Sequence, residues 1–264
     1  MHIDTHHEQA IQRLIALLED DPRFLALIIE GSVAHGNARP SSDIDVLLIA
    51  SDEEYARRER DQDFAYFNDT VCDYPSGYID GKILSLQFLK DAAQRGSEPT
   101  RSAFVGAFPA YSHIPDLPAL LKNIPVYPEY ERAEKMIAFY SQVLIQGGYF
   151  LREAIKKNDS YLLTHTVADL VLFGGRLLLA YNRILFSNHK TFLNTLRHAS
   201  EKPEQVVELA EQLLREPSLE HGRAFSDCIS SFQDWGITYT QALNRFFQDS
   251  EWNWRAGRPP LADW

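Results

Sequence analysis

Two apolar runs separated by a short polar gap constrain this chain more than any other feature. From Leu27 to Ala50 it reads LIIEGSVAHGNARPSSDIDVLLIA. Leu27, Ile28 and Ile29 stop at Gly31-Ser32, a ten-residue polar loop follows, and Asp43 and Asp45 then alternate with Ile44, Val46, Leu47 and Leu48. The pattern predicts a strand, a phosphate-sized loop and a second strand. Successive side chains of a strand point to opposite faces, so Asp43 and Asp45 share one face, within reach of one cation. Paired carboxylates suit a hard dication such as magnesium, which keeps its other positions for water and phosphate oxygens. Gly31 lets the backbone approach a ligand closely, and Ser32 adds a hydroxyl.

Gly31-Ser32, the ten-residue gap and Asp43-Ile44-Asp45-Val46 resemble the signature of the polymerase-beta-like nucleotidyltransferase superfamily. SVAHGNARPSSDIDVLLI is most similar to its small-molecule branch, which contains the aminoglycoside nucleotidyltransferases. The resemblance implies an α+β fold: a mixed sheet flanked by helices, residues 1–125, followed by a helical substrate-binding bundle, residues 126–264. It implies that Gly31, Ser32 and Ser42 hold the triphosphate and that Asp43 and Asp45 are catalytic and bind Mg2+. Lys190, in RLLLAYNRILFSNHKTFLNTL, corresponds to a phosphate-contacting lysine, and Asn182 lies about two helical turns earlier. The acceptor of such enzymes lies in a cleft between domains.

The family also supplies a third carboxylate on a strand beside the Asp-x-Asp pair, which completes the metal site or takes the acceptor's proton. Here alternation predicts a strand from Lys82 to Phe88, whose Ser85 and Gln87 cannot act as a base. Asp80 is the replacement, although Asp80-Gly81, like Pro75-Ser76-Gly77, reads more simply as a turn. Asp169, from the bundle, is a second alternative.

Charge narrows the partners. With 26 Lys+Arg against 37 Asp+Glu, the net charge of −11 opposes a nucleic-acid backbone, and no basic run offsets it. A cationic or neutral small acceptor fits such a field better. No run approaches eighteen apolar residues, and MHIDTHHEQA has no signal-peptide character, so the expectation is a cytoplasmic protein with no membrane partner. Cys72 and Cys228 fit no metal spacing and read as buried free thiols.

Along the chain, Ile11, Leu14, Ile15 and Leu18 predict a first helix with Asp4 or Thr5 as its cap. His2, His6 and His7 have metal-ligand chemistry but sit where a tail usually frays. SDEEYARRERDQDF reads as an exposed helix with Arg57, Arg58 and Arg60 on a solvated face. Phe104 to Tyr111 predicts a strand, Pro118 to Ile124 a short helix, and Glu98 and Arg101 fall in a salt-linked connecting loop before the strand. Pro125, Tyr127, Pro128 and Tyr130 mark the domain boundary. Beyond it the pattern is helical: Met136 to Ile155, an all-round apolar Leu162 to Phe186, then segments from Lys190, Pro203 and His221. Trp252, Trp254 and Trp264 are expected to pack across the bundle.

The expectation is a magnesium-dependent transferase that moves a nucleoside monophosphate from a triphosphate, ATP first, to a hydroxyl of an aminoglycoside-like small molecule. Its assigned residues are Asp43, Asp45 and Asp80 for catalysis and Gly31, Ser32, Ser42 and Lys190 for the nucleotide. The alternatives are a protein-modifying, AMPylating enzyme and a catalytically weakened nucleotide-binding member of the superfamily.

Overall fold

The computed structural model describes residues 3–257. The chain divides into two compact units, Met1–Tyr127 and Pro128–Trp264. The first runs α1 (Thr5–Leu18), β1 (Phe24–Ile29), the single turn α2 (Gly31–Ala34), β2 (Ile44–Ala50), α3 (Asp52–Asp61), β3 (Ala65–Asn68) and β4 (Ile79–Ser85). It ends with α4 (Leu86–Arg95), α5 (Glu98–Ala103), β5 (Phe108–Ser112) and α6 (Leu117–Asn123). The strands form one sheet in the order β3-β4-β2-β1-β5. The β2–β4 pair is parallel and the other pairs are antiparallel, so the sheet is mixed.

Helices cover both faces of the central strands, which explains why β1 and β2 are apolar almost without interruption. Leu27, Ile29, Val46 and Leu48 pack with Ile11 and Leu14 of α1. Ala26, Ile28, Leu47 and Ile49 pack with Leu89 of α4 and Leu117 and Leu121 of α6. The loop after β1 is shorter than its sequence suggests, because Gly31 to Ala34 wind into α2 and bury Val33 and Ala34.

The strand after the Pro75-Ser76-Gly77 turn differs from expectation at both ends. Ser85 Oγ accepts the Phe88 N–H at 3.1 Å and caps α4, so Ser85 ends the strand and Gln87 lies on a helix. At the other end β4 begins at Ile79, which makes Asp80-Gly81 strand rather than turn. A Cβ on Gly81 would collide with the Val46 carbonyl, so the glycine permits close approach of β4 to β2.

Glu98 and Arg101 also depart from the expected loop: both are buried on α5. Arg101 donates to the carbonyls of Ala93, Gly96, Ile124 and Val126, and so secures the end of the unit. Arg58 is not solvated either, since it and Arg57 clamp the buried Glu54.

The second unit is helical. A continuous run comprises α7 (Glu129–Ile145), a π segment (Gln146–Phe150) and α8 (Leu151–Lys157). It is followed by α9 (Ser160–Tyr181), α10 (Phe192–Arg197), α11 (Val206–Arg215), α12 (Leu219–Phe232) and α13 (Tyr239–Phe246). A second π segment (Phe247–Glu251) and a 3₁₀ turn (Asn253–Arg255) follow. Helix α9 is central, and its Gly174 and Gly175 leave room for Phe225 and Phe192. It ends at Tyr181 because Asn182 folds back onto the Leu178 carbonyl and Arg183 turns left-handed at φ 57°. Trp252 and Trp254 are exposed rather than packed across the bundle, and Trp264 and His2 lie outside the described residues. Cys72 and Cys228 are free and half-buried.

Candidate active site

Strand pairing builds a carboxylate cluster at one end of the central strands. In the parallel β2–β4 ladder Asp45 stands level with Asp80, and residues level with one another project from the same face. Asp43 lies two residues before Asp45 and shares that face. Glu30, directly after β1, donates its N–H to the Asp45 carbonyl at 3.0 Å and is itself buried. Lys82, two residues beyond Asp80, reaches Glu30 Oε1 at 3.3 Å. Glu30 and Asp45 thus share one lysine, with Asp43 and Asp80 beside Asp45.

Electrostatics follow from this crowding. Burial pushes the Asp45 carboxyl above its ordinary value, and Asp43 and Asp80 push it further, against the pull of Lys82 and a backbone N–H from Ser32. Burial likewise raises Glu30, partly offset by Lys82, with Asp45 and Asp80 adding to the rise. A dication would relieve these repulsions, and an all-oxygen donor set is what hard cations take, so these residues fit magnesium. Asp43 and Asp45 would hold it, with Asp80 beside them, level with Asp45.

Gly31 and Ser32 meet this cluster through their backbone. Gly31 adopts φ +66°, and a Cβ there would overlap the Asp45 carboxylate, which is 2.6 Å away at Cγ. No other residue fits. Ser42 serves the loop instead: its Oγ accepts the Arg39 N–H at 2.9 Å, and its carbonyl accepts from the Tyr74 hydroxyl.

Four residues escaped sequence reasoning. The Tyr78 hydroxyl donates to Asp43, which raises the tyrosine's pKa. Phe67 stands level with Asp80 on β3, is 64% exposed, and places its ring 5.6 Å from that of Tyr78. Glu30 and Lys82 complete the set. Lys82 was legible in principle, since a residue two from Asp80 on a strand shares its face.

The remaining assigned residues lie in the helical unit. Lys190 is exposed on the turn before α10, and no ion pair involving it occurs among the described residues. Asn182 is structural: its amide donates to the Leu178 and Glu201 carbonyls, and its oxygen accepts from Ser200 and Glu201. Asp169 lines a cavity of about 570 Å³ together with Phe139, Phe173, Gln142, His165 and Arg245. Burial raises its carboxyl, and His165, 3.5 Å away, opposes that rise. Both π segments contribute to the wall, through Gln146 and Phe150 and through Asp249 and Ser250. Such segments recur at ligand sites.

Comparison with known proteins agrees with this geometry. Residues 13–79 match the family model of the nucleotidyltransferase domain, a match that stops one residue before Asp80. A nucleotidyltransferase-like protein from Exiguobacterium sibiricum 255-15 has a similar fold, with a TM-score of 0.50 at 14% identity, over 95% of this chain and 79% of that one. No curated protein matches the chain. The strand–turn–strand with its paired aspartates therefore belongs to a nucleotidyltransferase domain of the polymerase-beta-like superfamily.

Proposed function

We propose that the chain is a magnesium-dependent nucleotidyltransferase that moves a nucleoside monophosphate from a triphosphate, ATP first, to a hydroxyl of a small molecule. The observation that carries this reading is the register of Asp80 with Asp45, which sets a third acid beside the pair. A bound magnesium ion would neutralise triphosphate charge and polarise the α-phosphorus. The Gly31–Ser32 backbone orients the triphosphate against Asp43 and Asp45. Asp80 takes the proton of the acceptor hydroxyl as its oxygen bonds to the α-phosphorus, and the bond to the β-phosphate oxygen breaks, releasing pyrophosphate. Asp80 also supports an enzyme over a retired nucleotide-binding protein.

For the acceptor, the aromatic and polar walls of the α7–α9–α13 cavity, at a volume typical of small-molecule sites, favour a small ligand over a protein. An amine-bearing, aminoglycoside-like acceptor suits the net charge and the half-buried Asp169. The test incubates the chain with magnesium, each of ATP, GTP, CTP and UTP, and a panel of amino-sugar and other hydroxyl acceptors, reading intact mass. Addition of one nucleoside monophosphate to a panel member, lost in Asp43→Asn/Asp45→Asn, is expected. Labelling of protein alone would favour the AMPylating alternative.

A further inference from the structure

The start of α1 holds a second cluster, which nucleotidyl transfer does not use. Asp4, His6 and His7 each offer one ligand atom, and the three atoms lie within 4.8 Å of one another. Contrary to the expected frayed position, His6 and His7 belong to α1, and His7 is fully buried. His7 Nε2 lies 3.1 Å from the Ser42 carbonyl, which can only accept, so Nε2 carries the proton and Nδ1 keeps a lone pair. That Nδ1 lies 4.0 Å from Asp4 Oδ2. The two imidazoles stand 4.1 Å apart, with Tyr74 against both rings. Among the described residues, neither His7 Nδ1 nor His6 Nε2 has a hydrogen-bond partner, although both atoms are buried.

Two orphaned ring nitrogens in one pocket are costly unless something accepts their lone pairs. We propose that Asp4, His6 and His7 bind one divalent transition-metal ion of the zinc class. Two imidazoles and a carboxylate form a borderline nitrogen–oxygen set that suits zinc and not magnesium or calcium. Zinc–ligand bonds of about 2.0–2.2 Å place tetrahedral ligand atoms roughly 3.3–3.5 Å apart, so rotation of the Asp4 side chain closes the present 4.0 Å. A backbone carbonyl on the far nitrogen, as Ser42 provides for His7, is the usual way a metal-bound histidine is oriented. A cavity of about 130 Å³ beside Asp4 and His7 leaves space for a water as fourth ligand. That cavity is also lined by Val33, Gly36 and Ala38, and Ser42 precedes Asp43. The ion would therefore sit against the loop that carries the nucleotidyltransferase motif.

The experiment strips the tag-free, full-length chain with a chelator and titrates it with zinc by calorimetry in excess magnesium. One equivalent is expected to bind. Asp4→Asn and His6→Gln, at partly exposed positions, should each weaken binding by about tenfold or more, whereas Asp43→Asn/Asp45→Asn should not. X-ray absorption of the zinc-loaded parent should show two imidazoles in the first shell, a readout that needs no variant. The assignment is overturned if no stoichiometric zinc binds, if fewer than two imidazoles are found, or if binding survives His6→Gln and is lost with the carboxylate pair.

Discussion

Replacing Gly31 by alanine adds one methyl group where the nucleotide loop rests on Asp45, and its consequences separate backbone strain from collision. At φ +66° an L-residue costs about 1–2 kcal/mol. The new Cβ overlaps Asp45 Oδ2, so the carboxylate must swing away from the Ser32 N–H. A hydrogen bond to a charged acceptor is worth about 1.5–3 kcal/mol, and part of it returns through water. Together these give a loss of about 2–4 kcal/mol, or roughly 8–15 °C in the melting temperature of a unit this size. Magnesium-dependent nucleotide binding should fall at least about tenfold, because Asp45 no longer faces Asp43 and Asp80. Calorimetry and thermal denaturation of Gly31→Ala, Asp45→Ala and the double variant form a cycle. With Asp45 cut back, the methyl no longer meets the carboxylate but still meets Cβ at 2.9 Å, so Gly31→Ala should cost less in that background yet more than strain alone. If Gly31→Ala costs the same in both backgrounds, the packing of Gly31 on Asp45 is not what makes the glycine necessary.

Asp80→Asn should lower pyrophosphate release by about 10²- to 10⁴-fold while magnesium-nucleotide affinity changes little; turnover within tenfold of the parent would remove Asp80 from the mechanism. Ser85→Asp should leave activity unrescued and cost about 1 kcal/mol or less, since aspartate also caps helices and position 85 is the cap of α4. Arg57 and then Arg58 hold the Glu54 carboxyl down at about 2 from an ordinary 4.5. The stability this contributes is fully present above pH 4.5 and lost as pH falls towards 2. Glu54→Gln should flatten that window in denaturant titrations and cost about 1–2 kcal/mol at neutral pH, tempered by the exposure of Arg57. Limited proteolysis should cut first between Ile124 and Tyr130, leaving the helical unit intact on a gel; early cuts inside α7 or α9 would contradict the two-unit division.

The motif could be read from the chain because its information is local. A strand's alternation sets Asp43 and Asp45 on one face whatever surrounds them, and Gly31 requires only its own φ. The helices of the second unit were legible for the same reason, since a 3.6-residue period needs no partner. Asp80 was legible as a candidate acid but not as a strand residue. Asp-Gly is a turn signal by propensity, and only pairing with β2, 35 residues earlier in the ladder, makes it a strand and sets it level with Asp45. Gln87 was misplaced for a local reason: Ser85 ends β4 as expected of a strand residue but also caps α4, and the alternation beyond it is the first turn of an amphipathic helix. His7 depended on tertiary structure too: Tyr74 and the Ser42 carbonyl turn a histidine near the start of the chain into a buried, oriented imidazole. Residue order determines which faces a segment can present, and only the packing of distant segments decides which groups meet there, because pairing partners and burial are set by contacts that no local period encodes.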